Sequence, residues 1–310
     1  MAWADLSQRC KFSLTGPDRV RYLNGQVTNN VARLSAGQSC QALVCNHKGK
    51  LEGEVFIHAT DDTLWIDGPG ELREALGVRL AKYLIADDCE LTDVTDDWHI
   101  FHALDLPDSE ASDPAGEKAM VFRKVSRLGP DGVDLWIPAG QPGPRTGLSP
   151  AQCETLRLEW GVPAWGSELT PDVLPQEAQL EARAVDFAKG CYVGQEVVSR
   201  LRSVGHVNRL LQPLEVVAGG LSVTARDRIF SEEPPGQTAS HETPRTGWKE
   251  VGFLTSVGPD ATGQKTIALG YVRRTVPLDT AVLRVGRSID DLTGTVRLRQ
   301  PHGPQRLSTP

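Results

Sequence analysis

An α+β fold with an all-β C-terminal part is what this sequence predicts, on three observations. Strand-like apolar runs and stretches with helical spacing alternate through the first two thirds of the chain. After about residue 210 only short strand-like runs recur, and several short strands close best into a barrel or a sandwich. A segment at 138–150, with four prolines and three glycines among thirteen residues, reads as a connector between subdomains. The 310 residues suffice for about two domains. The expected division is an α/β core of two subdomains over 1–210 and a β domain over 211–310.

Residues 14–15 end a strand at Gly16-Pro17, and Asp18 stands where it would cap the next helix, with Val20, Leu23 and Val27 at helical spacing. Residues 42–45 and 55–59 are apolar runs around the polar turn Asn46-His47-Lys48-Gly49-Lys50, a hairpin pattern. Residues 63–66 make a further strand. Leu72, Ala75, Leu76, Leu80 and Leu84 share one face of a predicted helix over 71–84. Residues 98–104 and 133–137 read as strands, 106–117 as a polar loop, and 151–157 as a helix start followed by a turn-rich stretch. In the C-terminal part, 211–217, 252–255, 267–272 and 281–285 read as strands, and the polar, proline-rich 231–249 as a loop.

Composition narrows the function classes. Hydrophobic residues at 39% and charged residues at 24% are a globular balance. The net charge of −7, with no basic stripe, argues against direct nucleic-acid binding. Six scattered cysteines form no CxxC pair, so zinc spacing is absent and free thiols in a reducing, cytoplasmic setting are expected. No HxxxH or HExxH occurs, so no metal site is predicted, and no phosphate-binding glycine loop is present. The N-terminus has no signal-peptide pattern, and no run of ~18 apolar residues predicts a membrane span.

Two segments carry candidate chemistry. In Lys189-Gly190-Cys191-Tyr192-Val193-Gly194-Gln195-Glu196, two glycines permit positive φ and close backbone approach. An ammonium two residues from a thiol favours the thiolate, and a tyrosine ring suits a flat heterocycle. The same residue types would also serve a tight turn with a buried cysteine and a capped helix start. In Arg157-Leu158-Glu159-Trp160-Gly161, followed by Trp165-Gly166, Glu159 is a carboxylate able to accept two adjacent N–H groups, and Trp160 or Trp165 could lie on a ring face. A surface glutamate beside core tryptophans accounts for that segment equally.

The octapeptide resembles the signature of YgfZ-type folate-binding proteins, which include mitochondrial iron–sulfur assembly factors and are relatives of the glycine cleavage T-protein, an aminomethyltransferase. The resemblance extends over nearly the whole chain. Leu14-Thr15-Gly16-Pro17-Asp18, Leu23-Asn24-Gly25 and Thr28-Asn29 resemble the shared N-terminal segment. Residues 46–49 resemble the loop leading to the T-protein's catalytic aspartates. Arg157 to Gly161, Gly166, Pro175 and Glu177 resemble the second folate-binding segment, and 252–256 with 268–272 the C-terminal barrel.

That resemblance implies a T-protein-like, three-part ring: a ferredoxin-like and a second α/β subdomain with a C-terminal β-barrel. It implies tetrahydrofolate, or a reduced derivative, as the ligand. Glu159 sits where the T-protein places its pterin-binding glutamate, with Trp160, Lys189, Tyr192 and Asn46 as further binding candidates and Lys189 facing folate's acidic tail. Where the T-protein has paired aspartates stand Gly53 and Glu54. Glu54 keeps a carboxylate on a longer arm, which with the Lys-Gly-Cys-Tyr sequence favours the YgfZ-type side. The implied function is an accessory factor for iron–sulfur cluster assembly or repair, with Cys191 the reactive thiol and Lys189 beside it. Its partners would be assembly proteins or client iron–sulfur enzymes, and any effect on tRNA processing would be indirect. The alternatives are a folate-dependent aminomethyl or other one-carbon transferase or demethylase, with Glu54 as proton carrier, and a non-catalytic scaffold.

Overall fold

The computed structural model describes residues 3–104, 119–144, 147–218, 222–232, 247–277 and 282–301. The chain divides into two compact units, Met1–Cys153 with Leu169–Gly205, and Glu154–Glu168 with His206–Pro310. The elements of the first run β1 (Trp3–Asp5), β2 (Cys10–Thr15), α1 (Arg19–Gln26), β3 (Ser39–Cys45), β4 (Leu51–Ala59), β5 (Thr63–Gly68), α2 (Arg73–Ala81), β6 (Glu90–Asp93), β7 (Trp98–Leu104), β8 (Met120–Val125), β9 (Gly132–Pro138) and β10 (Gly147–Leu148). Then follow α3 (Pro150–Trp160), within which the boundary between the units falls, α4 (Glu181–Ala184) and α5 (Gln195–Ser203). The second unit carries β11 (Arg209–Ala218), β12 (Arg228–Glu232), β13 (Trp248–Pro259), β14 (Thr266–Arg273), β15 (Leu283–Ser288) and β16 (Asp291–Leu298).

In the first unit, one five-stranded sheet has the order β3-β4-β5-β2-β6 and the other β10-β1-β7-β9-β8. Alternation along the strands sorts their side chains. On β3 and β4, Ala42, Val44, Val55 and Ile57 join Tyr22 and Leu23 of α1 and Leu76 and Leu80 of α2 in one core. Gly53 lies on that core face, where an added Cβ would meet the Leu76 side chain at 2.6 Å. Its neighbour Glu54 therefore faces the other way, the same way as Phe56 and His58. Phe56 packs there with Ile100, Phe122 and Trp136 of the second sheet.

The second unit is a closed six-stranded barrel, β11-β14-β13-β12-β15-β16. This resolves the barrel-or-sandwich choice in favour of closure, which removes exposed sheet edges. Leu214, Ile229, Leu254, Ala268, Leu283, Val285 and Val296 fill it. The overall class is α+β, as the sequence predicts.

Several local expectations shift. Asp18 occupies the N-cap position of α1 without a side-chain capping bond. Its carboxylate instead accepts from the Asp88 backbone N–H at 2.9 Å. Val27 terminates α1 and bridges to Val44. The helix expected over 71–84 is a 3-10 turn, Gly70–Leu72, followed by α2, and it stops before Leu84. Within the predicted connector, β10 pairs in parallel with β1. The loop expected at 106–117 lies outside the described residues, as does most of 231–249. Among the described residues, no helix is long and apolar enough to cross a membrane.

Candidate functional site

The octapeptide begins at a lysine that leaves its own segment. Lys189 is 7% exposed. Its ammonium donates to the carbonyls of Asn24 at 2.6 Å, Val27 at 2.7 Å and Asn29 at 2.7 Å. All three of its N–H directions are thereby used. The ammonium also lies 5.2 Å from the centre of the Tyr192 ring. Burial pushes its pKa down to about 8, opposed by the nearby Cys40 and Asp186.

Cys191 is the exposed cysteine of the chain's six. Tyr192 next to it is buried, and among the described residues its hydroxyl has no hydrogen-bond partner. Burial raises the Tyr192 pKa. The chain then turns at Gly194, whose φ of +87° is left-handed, and enters α5 without a side-chain cap. A Cβ at Gly194 would come within 2.5 Å of the Asn46 carbonyl oxygen, so the motif rests directly on the 46–49 turn. From the other side, Gly49 packs against Val197 and Val198 of α5. The Asn46 carboxamide oxygen accepts from the backbone N–H of Lys48 at 2.9 Å and of Lys50 at 3.2 Å, which fixes that turn. The structure thus brings the octapeptide and the Asn46 turn together.

Glu54 lies in the same unit, on β4. Its Oε1 accepts from the Gln41 amide at 2.7 Å, and its Oε2 is 3.6 Å from Arg9. The Gln41 side-chain oxygen, Oε1, beside it is buried with no partner among the described residues. Neither Gln41 nor Arg9 has a local pattern that marks it. Strand alternation from Glu54 across the β3–β4 register, which pairs Leu43 with Glu54 and Gln41 with Phe56, is the signal that finds Gln41.

Arg9 leads to a second group without a sequence signature. Asp67 binds Arg9, Arg127 and His58, and Asp134 binds Arg127 and His102. His58 and Asp67 come from one sheet, His102 and Asp134 from the other, so Arg127 joins the two sheets by charge. Its guanidinium also stacks on Phe56, 4.1 Å from the ring centre.

Glu159 lies in the second unit, with the barrel. Its Oε1 accepts from the Ala261 N–H at 2.9 Å, and its Oε2 is 3.5 Å from Arg299. Arg299 also donates to the Leu158 and Glu159 carbonyls, closing the end of α3. Nearby, Arg157 pairs with Glu168 at 3.0 Å and donates to Ser256 at 2.7 Å. Trp160 and Trp165 are half-buried. Among the described residues, no group of three or more His, Cys, Asp or Glu could hold a metal ion.

No protein-family model matches the chain. It is 22% identical over 316 residues to an aminomethyltransferase of Listeria monocytogenes, covering 92% of this chain and 80% of that protein. It is 28% identical over 258 residues to the "Iron-sulfur cluster assembly factor IBA57 homolog, mitochondrial" of Mycosarcoma maydis, covering 77% of this chain and 63% of that protein. The solved structure of the glycine cleavage system aminomethyltransferase T of Bartonella henselae superposes with a TM-score of 0.78 at 18% identity, covering 96% of this chain and 85% of that one. The fold is therefore that of the T-protein. The chain is a relative of both the aminomethyltransferases and the iron–sulfur assembly factor, and the YgfZ-type resemblance fits both relationships.

Proposed function

We propose that this protein is a tetrahydrofolate-binding accessory factor for iron–sulfur cluster assembly or repair, with Cys191 as its working thiol. The observation that carries this reading is the presentation of Cys191. It is exposed, yet the backbone around it is fixed on one side by Lys189 and on the other by Gly194 against Asn46. A thiol held outward on a rigid loop suits reaction with a partner's cluster or with an oxidised intermediate. Proteins of the iron–sulfur assembly apparatus, or client enzymes, are the partners this implies.

A reduced pterin is rich in N–H donors, so its site must supply acceptors. The unpartnered Gln41 oxygen beside Glu54 fits that need in the first unit. Glu159 fits it in the second unit only by exchanging the Ala261 N–H and Arg299 for the ligand. Bound folate would supply one-carbon carrier chemistry; Gln41 and Glu54 in the first unit, or Glu159 in the second, would orient it. The aminomethyltransferase alternative asks Glu54 to move a proton, as general acid–base work needs a carboxylate within hydrogen-bond reach of the reacting atom.

Titration calorimetry with tetrahydrofolate tests the ligand. Wild type should bind, and Gln41→Leu or Glu159→Gln, according to the unit that holds the pterin, should weaken binding by about tenfold, the worth of one good hydrogen bond. Heatless injections into wild type would end the folate reading. Separately, Cys191→Ala should fail to complement a strain lacking its own YgfZ-type protein. Full rescue would remove the thiol from the function.

A further inference from the structure

The carbonyls that Lys189 binds are not scattered. α1 ends at Gln26 with Val27 as its C-cap, and its last turn contains no basic residue. A helix C-terminus leaves its final carbonyls without intrahelical partners and carries partial negative charge. Here those carbonyls are met from 160 residues away. Lys189 takes the Asn24 and Val27 oxygens, and the Val193 backbone N–H donates to the Gly25 oxygen at 3.3 Å. The third bond of Lys189, to the Asn29 carbonyl, reaches the turn beyond the helix. Cys191 lies midway between the two points of attachment.

We propose that Lys189 is a positioning residue: its ammonium caps the end of α1 from a distant segment and thereby fixes the backbone on which Cys191 is presented. This rests on the reading of Cys191 as the working thiol. It gives Lys189 a task different from lowering the thiol's pKa or meeting folate's tail, since its three donors are spent on carbonyls.

The charge matters because only an ammonium fills three acceptors. A neutral amine donates two hydrogens and points its lone pair at the third carbonyl. The titratable groups facing Lys189 are Cys40 on β3, Asp186 on its own segment and the Tyr192 ring. Cys40 is a neutral thiol, pushed up to about 12 by burial. Asp186 is an anion, its carboxyl held down by the Ala188 N–H, Asn30 and Arg33 against the cost of burial. With burial pulling Lys189 down to about 8, the clamp is complete below that pH and loses a bond above it. Relief from burying the charge outweighs that lost bond, as the lowered pKa records. Between about 8 and the ordinary lysine value of 10.5, the folded chain has released a proton that the unfolded chain keeps, so folding gains as pH rises. A local opening that returns Lys189 to water is linked in the same direction, so it too becomes rarer as pH rises.

Hydrogen exchange of the Val193 amide in the full-length protein tests this, with the β4–β5 ladder as internal control. In Lys189→Met, Val193 should exchange roughly tenfold faster while the ladder amides are unchanged. In wild type, once the base-catalysed acceleration common to all amides is divided out, Val193 protection should rise between pH 8 and 10. In Lys189→Arg, whose cation does not titrate there, that extra rise should be absent. Unchanged Val193 protection in Lys189→Met, or a common pH profile for wild type and Lys189→Arg, overturns the proposal. Should Lys189→Met fail to fold, the wild-type profile decides alone, and a flat one refutes the clamp. The exchange result does not depend on what Cys191 does. Full rescue by Cys191→Ala would end the functional reading and leave the clamp standing, and the converse also holds.

Discussion

Asp67 and Asp134 are fully buried carboxylates, and Arg127 is the cation they share. Burial alone would raise both carboxyls. Arg127 and Arg9 beside Asp67, and Arg127 and His102 beside Asp134, outweigh it, holding Asp67 well below the usual range and Asp134 at about 2. Removing Arg127 leaves two charges without their main partner in a site closed to water. Arg127→Met should therefore cost about 3–5 kcal/mol, read from urea midpoints at neutral pH. The pH dependence follows from the direction of the shifts. A depressed folded pKa stabilises above the unfolded value of 3.8, and this is lost as pH falls toward about 2. Wild-type midpoints should thus drop between pH 4 and 2, and Arg127→Met should show a shallower or reversed slope there. Equal slopes would mean that Arg127 does not hold these carboxyls. None of this was legible in the sequence, because the five residues around Arg127 are spread from Arg9 to Asp134 with no common spacing, and only strand register assembles them. Lys189 stands two residues from Cys191 along the chain, but its long side chain ends at α1, which spacing alone does not show.

The elements divide by how they are buried. Strands buried along nearly their whole length, such as β4 and β14, announce themselves by composition. β6 (Glu-Leu-Thr-Asp, largely exposed) and the three-residue β1 carry too little apolar pattern to be read, and β16 alternates weakly. α5 was foreseen only as a helix start, since its buried side is narrow and its polar residues dominate. The octapeptide was legible as a glycine-flanked thiol, but the sequence treats its two glycines alike and the structure does not. Gly194 has positive φ and a carbonyl where its Cβ would be; Gly190 has open space and an ordinary φ. Gly194→Ala should lower stability by about 2 kcal/mol or more, through strain at the left-handed position and displacement of the Asn46 turn. Gly190→Ala should stay within about 0.5 kcal/mol of wild type. Thermal unfolding of the two variants side by side checks the contrast, and equal losses would refute the assignment of the turn to Gly194.

For the whole molecule, the unit that holds the barrel is not a continuous stretch of chain. All six strands lie between Arg209 and Leu298, but the second compact unit also contains Glu154–Glu168. That short segment supplies buried partners to the barrel strands. The Tyr271 hydroxyl donates to the Glu168 carbonyl at 2.9 Å, Ser256 donates to the Glu168 carboxylate at 2.6 Å, and Arg157 closes the set by pairing with Glu168 and binding Ser256. Leu158 packs where Gly258 leaves no room for a side chain. The shift in pattern near residue 210 marks where the strands begin, and it carries no information about a helix end that joins them from earlier in the chain. Cutting at that shift would remove the Glu168 bonds of Tyr271 and Ser256 and open the packing around Gly258, each a cost of about 1–3 kcal/mol. A fragment of residues 206–310 should therefore lack a cooperative thermal transition, and adding a peptide of residues 154–168 should restore one in a concentration-dependent way. A fragment that melts cooperatively without the peptide, and is indifferent to it, would show that the barrel's stability resides in its six strands alone.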